Sequence, residues 1–255
     1  MTDLDPGKWL RRYHPAPGAE VRLVCFPHAG GSASFYRPVA TAHSPAADVV
    51  VLQYPGRQDR HREPLITNID EYAEAITAVL AAEPELPTVF FGHSMGALLG
   101  FEVAHRLEHG AGAPPRALVA SGRRAPGTAR DERVHLLDDD GLLADVRTLN
   151  GAAAALEDEE IVRMSLPAIR NDYRAVETYP PRRDRVVDCP IAVLIGDEDP
   201  KSTVDESLRW KEHTTGAFRL RTFRGGHFYL VQQAAAVNAE LTEELSTLHR
   251  TPSAH

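Results

Sequence analysis

An α/β fold around a mainly parallel central sheet is what this sequence predicts. Three observations point to it. Six short apolar runs recur along the chain, helical periodicity fills the gaps between them, and a serine flanked by glycines closes the third run.

The runs are 21–26 (VRLVCF), 49–54 (VVVLQY), 88–93 (TVFFGH), 117–122 (ALVASG), 191–196 (IAVLIG) and 218–223 (FRLRTF). Most are continuously apolar, as strands buried on both faces of a parallel sheet must be. The last alternates, which suits an edge strand. Between them, Ile69, Tyr72, Ile76 and Val79 recur at helical spacing. Asn68 followed by Glu71 reads as a capping pair ahead of that helix. Residues 94 to 109 begin with small side chains and become amphipathic, and Val237, Leu241, Leu245 and Leu248 form one stripe near the end. Strands alternating with helices give parallel βαβ connections.

One connection breaks the rhythm. Gly122 and Ile191 are separated by roughly 70 residues, far beyond an ordinary crossover. This stretch opens with a loop (RRAPGTARDER), places Val162, Leu166, Ile169, Tyr173 and Val176 on one helical face, and closes with YPPRRDR. It reads as a helical lid over residues 123–186, inserted in a single domain spanning 1–255. Extra packing helices without a lid role are the alternative.

A chain of 255 residues holds a sizeable core, and 43% hydrophobic with 25% charged residues is ordinary for a globular protein. The net charge of −8 argues against non-specific nucleic-acid binding. The two cysteines, Cys25 and Cys189, form neither a metal-ligand spacing nor a disulfide framework and read as small buried hydrophobes. The first 18 residues do not resemble a secretory signal, and no stretch approaches a membrane span. A cytoplasmic protein is expected. The final TPSAH reads as a frayed tail.

Residues 90–100 read FFGHSMGALLG. In G-x-S-x-G the serine occupies a tight strand-to-helix turn, and side chains at Gly92 and Gly96 would collide there. The motif occurs by chance, and a helix-capping serine is the plain alternative. The strand before it and the helix after it favour a nucleophile. Such a serine needs a base and an orienting acid, which in the α/β-hydrolase fold follow in the order Ser, acid, His on loops after strands. GDEDP follows the fifth run and FRGGHFYL the sixth. His227 is therefore the candidate base among 12 histidines. His93 is adjacent to Ser94 but points elsewhere on the turn, His105 and His109 lie further along the helix, and His28 sits in a glycine loop. For the acid, Asp197, Glu198 and Asp199 are contiguous. Asp199 is favoured because it lies deeper in the loop, Asp197 being a strand-end or turn residue.

An oxyanion hole would use the amide of Met95, after the nucleophile, and one from the loop FPHAGGSASFY. By analogy with hydrolase oxyanion loops the second amide is that of Ala29. A phosphate-binding reading of this loop fails, because it has neither Gly-Lys-Ser/Thr nor G-x-G-x-x-G spacing.

FPHAGGSASFY, LQYPGRQDR, FFGHSMGA, GDEDP and GGHFYL, in this order, make the chain resemble the type II thioesterases, the discrete editing enzymes of modular polyketide and nonribosomal peptide synthases. The resemblance runs from about residue 21 to 230, loosely over the lid. It implies an α/β-hydrolase fold with a helical lid and a triad of Ser94, Asp199 and His227. It implies acyl groups on the phosphopantetheine arm of an acyl or peptidyl carrier protein as substrates, and an acyl-enzyme on Ser94. No metal and no redox cofactor has a part in that chemistry. Neither a nucleic acid nor a membrane is an expected partner, and a monomer is the default. QYPGRQDR is either a Pro-Gly turn with solvated arginines or a loop at the mouth of the site. Carrier proteins are typically acidic, so Arg57, Arg60, Arg62, Arg182, Arg183 and Arg185 are candidates for a basic docking patch. A small-molecule esterase, lipase or peptidase on the same fold, an acyltransferase, and a non-catalytic module are the competing readings.

Overall fold

The protein is described by a computed structural model covering residues 4–110, 112–150 and 159–250. A seven-stranded sheet runs through it. Its strands are β1 (Leu10–Arg11), β2 (Arg22–Phe26), β3 (Asp48–Leu52), β4 (Thr88–His93), β5 (Ala117–Ser121), β6 (Ile191–Gly196) and β7 (Phe218–Phe223). The order is β1-β3-β2-β4-β5-β6-β7, with every pairing parallel except β1 on β3. The six expected strands are all present, and the alternating β7 is the edge. β1 was not expected. Its two residues pair with Val51 and Leu52, too short a ladder to leave a pattern in sequence.

The helices are α1 (Pro6–Trp9), α2 (Arg37–His43), α3 (Ile69–Ala81), α4 (Met95–Glu108), α5 (Asp139–Asn150), α6 (Glu159–Glu177), α7 (Val204–Leu208), α8 (Tyr229–Gln232) and α9 (Ala234–Arg250). Continuous apolar strands are explained by a core on each face of the sheet. Val24, Phe26, Val50, Leu52 and Phe90 face one core, with Tyr72 and Ile76 of α3 and Leu99 and Phe101 of α4. Their strand neighbours Leu23, Cys25, Val49, Val51, Val89 and Phe91 face the other, with Val237, Leu241 and Leu245 of α9. The Asn68 side chain accepts the Glu71 amide at 2.8 Å, capping α3. Both cysteines are free and buried, and burial pushes the Cys189 thiol up to about 12. Among the described residues no helix is long and apolar enough to cross a membrane.

The long connection between β5 and β6 carries a short 3-10 turn (Val134–Leu136), α5 and α6. Leu142, Leu166 and Ile169 form a small separate core there, with Val134, Val146 and Tyr173 packed on it. The stripe expected on α6 therefore divides: Leu166, Ile169 and Tyr173 serve this small core, while Val176 packs on the main one. Residues 151–158 and the side chain of Val162 lie outside the described residues, as does the tail 251–255.

Candidate active site

Four strand ends meet at one edge of the sheet. β4 ends at His93, and Ser94 turns the chain directly into α4 with φ 55° and ψ −116°. A non-glycine residue rarely adopts positive φ, and this one is held there by its surroundings. The Ser94 amide donates to the carbonyl of Ser121 at the end of β5, at 2.8 Å. A Cβ on Gly92 would stand 2.1 Å from the Gly96 carbonyl oxygen, and one on Gly96 would stand 1.9 Å from that of Phe26. The first turn of α4 therefore lies directly on the end of β2. Ser94 makes no side-chain cap to the helix, so the capping alternative fails on geometry.

The acid and the histidine come from the loops after β6 and β7. These loops are zipped together: the amides of Asp197 and Glu198 donate to the carbonyls of Phe223 and Gly225 at 2.8 and 3.0 Å. His227 Nδ1 lies 2.9 Å from both carboxylate oxygens of Asp199. A carboxylate only accepts, so Nδ1 carries the proton and Nε2 is left as an acceptor. Asp199 and His227 are 7% and 3% exposed, so water competes little for this bond. Asp199 Oδ1 also accepts the Lys201 amide at 2.8 Å. Asp197 instead accepts the Gly225 amide at 2.8 Å, the turn role expected of it.

Met95 opens α4, so its amide is among those a helix leaves without an internal acceptor, at the positive end of the helix dipole. Ala29 follows β2 by three residues, in the loop on which α4 rests. His105 and His109 stack on each other at 4.3 Å at the other end of α4, away from this edge.

The sequence reading passed over His93 and His28. His93 is fully buried behind His227, with ring centres 4.8 Å apart. Its Nδ1 meets the Ser121 hydroxyl at 2.9 Å, which meets the Tyr229 hydroxyl at 2.7 Å. His28 packs edge-on against Phe35 and Phe228 at 4.7 and 4.9 Å. Burial, then the neighbouring His227, pushes both rings below the ordinary imidazole range, His28 to about 3. They form a neutral wall behind the base. In the unfolded chain such rings titrate near pH ~6.5. Below that pH the unfolded state takes up protons that the folded rings refuse, so stability falls as pH drops towards the folded values. We expect the melting temperature to decline between pH 7 and 5, ahead of most carboxylate titration. Calorimetry across that range checks it, and a flat profile would contradict the neutral wall.

The docking arginines need correction. Arg57 and Arg60 are 5% and 2% exposed. Arg60 lies 4.7 Å over the Trp9 ring and donates to the Gln53 carbonyl at 2.7 Å. Arg182 pairs with Asp70 at 3.0 Å, and Arg185 pairs with the fully buried Glu102. Only Arg62 and Arg183 of the six stand exposed. The two arginines of QYPGRQDR are thus not solvated, although Gln58 and Asp59 between them are exposed. Gln53 Oε1 accepts the Ala33 amide at 2.7 Å and Arg57 Nε donates to the Gly31 carbonyl at 3.2 Å, so this segment backs the loop containing Ala29.

A parallel sheet with helices on both faces, a strained serine between β4 and α4, and an aspartate–histidine pair after β6 and β7 define the α/β-hydrolase fold. The family profile described as "Thioesterase domain" matches residues 21–245. The chain is 58% identical to a probable cadicidin biosynthesis thioesterase of Streptomyces griseus, over 99% of this chain and 70% of that protein. It is 45% identical to thioesterase PikA5 of Streptomyces venezuelae, over 100% of this chain and 92% of that one. The solved structure of BorB, a type II thioesterase from the borrelidin biosynthetic cluster, superposes with a TM-score of 0.89 at 50% identity, covering 96% of this chain and 99% of BorB. The chain belongs to the thioesterase family, as one of the type II thioesterases of polyketide and nonribosomal peptide biosynthesis, and it is a thioester hydrolase.

Proposed function

We propose that this thioesterase removes stray acyl groups from the phosphopantetheine arm of an acyl or peptidyl carrier protein, through an acyl-enzyme on Ser94. The observation that carries the reading is the buried Asp199–His227 pair, 2.9 Å apart, at the same sheet edge as the strained Ser94 turn. Ser94 Oγ attacks the thioester carbonyl while His227 Nε2 takes its proton. Asp199 holds the ring in the required tautomer and stabilises the imidazolium. The oxyanion is held by the amides of Met95 and Ala29. The tetrahedral species collapses by breaking the C–S bond. A thiol of pKa about 8.5 leaves far more readily than an amine, so this step needs little acid help, and the departing thiolate then takes the proton from His227 Nε2, which leaves the ring neutral. Water then attacks the acyl-serine, giving its proton to His227 Nε2; the second tetrahedral species breaks its C–Oγ bond, Nε2 returns the proton to Ser94 Oγ, and the free acid is released.

Residues 123–186 act as a lid in this reading, supported by the contact of α6 with the loop after β2. The free, buried thiols suit a reducing cytoplasm.

The test compares a short acyl group on a holo carrier protein with the matched oxygen ester. We expect kcat/KM for the carrier thioester to exceed that for the ester by about 10²-fold or more, since remote binding energy is available only from the carrier-bound substrate. Equal values, or preference for the ester, would favour a small-molecule esterase on the same fold.

A further inference from the structure

The helix α6 reaches the loop after β2 through Asp172, whose surface is fully buried. One carboxylate oxygen, Oδ2, accepts the Gly30 amide at 2.7 Å and also accepts from Arg57 Nη2. The other, Oδ1, accepts the Tyr72 hydroxyl at 3.0 Å. Arg57 in turn donates to the carbonyls of Gly31 and Pro55 at 3.2 and 2.7 Å. One turn earlier on α6, Ile169 occupies the space beside Gly30: a Cβ on that glycine would stand 2.3 Å from Ile169 Cγ1. Asn171 donates to the Ile66 carbonyl at 2.6 Å, tying the same turn of α6 to the segment before α3.

The consequence lies in the backbone. Gly30 has φ +73°, followed by a second glycine, so the loop has little stiffness of its own. Its peptide planes are instead held from two sides. Asp172 takes the N–H of the Ala29–Gly30 peptide, and Arg57 donates to the carbonyl of Gly31. A buried ion pair is seldom more stabilising than apolar residues of the same volume. What it supplies that they cannot is direction, through hydrogen bonds at fixed angles.

We propose that Asp172 is a positioning residue for the oxyanion hole. It holds the Ala29–Gly30 peptide so that the adjacent Ala29 amide is aimed at the thioester oxygen, with Arg57 as its counter-ion. The lid helix thereby becomes part of the catalytic frame, and the hole is complete only while this turn of α6 is docked. The inference rests on the assignment of Ala29 to the oxyanion hole.

The test uses the full chain with an acyl-pantetheine thioester as substrate, active sites being counted by end-point labelling with a fluorophosphonate. Asp172→Asn leaves one accepting oxygen for three donors. Loss or misaiming of one oxyanion donor costs about 10²-fold, so kcat per labelled site should fall by about 10- to 100-fold with KM nearly unchanged. Affinity for a trifluoromethyl ketone, whose tetrahedral adduct needs the hole, should fall in parallel. Binding of a non-hydrolysable thioether analogue should not. A purely structural clamp would lower the labelled fraction or the melting temperature and leave kcat per site within about threefold, and that result overturns the proposal. Should Asp172→Asn fail to fold, Tyr72→Phe decides. It removes one donor from the same carboxylate and one acceptor from Arg57 Nη1, which keeps the Pro55 carbonyl, while the Arg57–Asp172 pair stays in place; kcat per site should fall about fivefold, whereas no change overturns the proposal. Ser94→Ala run alongside separates the two levels. If Ser94 is required and Asp172 is silent, only this inference fails; if Ser94→Ala keeps full activity, the reading of the whole site fails.

Discussion

Ser94→Ala should lower kcat by about 10⁴-fold or more while leaving the fold intact. The side chain is small, its hydroxyl caps no helix amide, and alanine adds no atom to the turn. What disappears is the atom that forms the acyl-enzyme. Residual turnover would come from the remaining donors and from substrate binding. The companion substitutions sharpen the test. Asp199→Asn removes the acceptor that keeps the proton on His227 Nδ1, and a loss of about 10⁴-fold is expected from the wrong tautomer. Asp197→Asn, two residues away, touches only the hydrogen bond from the Gly225 amide. It should alter stability by about 1 kcal/mol and kcat hardly at all. Steady-state kinetics on the three purified variants, with calorimetry for each, checks this. If Asp197→Asn and Asp199→Asn proved equally damaging, the assignment of the acid would fail. If Ser94→Ala retained near-normal kcat, so would the whole triad.

Which of the neighbouring carboxylates meets His227 was legible in sequence, because depth in a loop after a strand is a one-dimensional property. The same holds for the place of Ser94 on its strand-to-helix turn, for that of His227 on the loop after β7 and for all the longer strands. Continuous apolar runs arise from burial on both faces, and the two cores explain them residue by residue. β1 left no pattern because two residues make too short a ladder. The arginines were misread for a different reason. Arg57, Arg60, Arg182 and Arg185 look solvated in any composition count, since isolated guanidinium groups avoid burial. Their partners are Asp172, Glu63, Asp70 and Glu102. Most of these lie far away in the chain, and only the folded topology brings them within reach. His93 was dismissed as a rival base. It acts instead as part of the packing behind the base, a role that has no sequence signature because it depends on the approach of the β7 loop. The signal that could have revealed Arg57 was its place in QYPGRQDR, right after a buried strand.

Gly96→Ala should damage both stability and catalysis, and for one reason. The added methyl would stand 1.9 Å from the Phe26 carbonyl oxygen, 2.6 Å from its carbon and 2.8 Å from the Pro27 carbonyl oxygen. All three are backbone atoms at the end of β2, so no rotamer change relieves the overlap. Only a shift of α4 away from the sheet does so, and the opposing face of the turn is as tight, with Gly92 pressed on the Gly96 carbonyl. Overpacking in a core typically costs about 1–3 kcal/mol, and a clash with backbone belongs at or above the top of that range. For a domain of this size that corresponds to a melting temperature lower by roughly 6–12 °C. The same shift carries the Met95 amide and Ser94 away from the loop of Ala29. A misplacement of about 1 Å in a catalytic constellation costs about 10²-fold. Gly100→Ala, one turn further along the same helix, is the control. Its methyl would meet side-chain atoms alone, Leu118 Cδ1 at 3.2 Å and the Phe26 ring at 3.7 and 3.9 Å, and the helix gains about 1 kcal/mol of propensity. That variant should stay near wild type in both readouts. If Gly96→Ala melted early yet kept its kcat per active site, close packing at the turn would be a matter of stability alone. If both fell together while Gly100→Ala was silent, the approach of α4 to β2 would be what places the serine and the oxyanion amides in one frame.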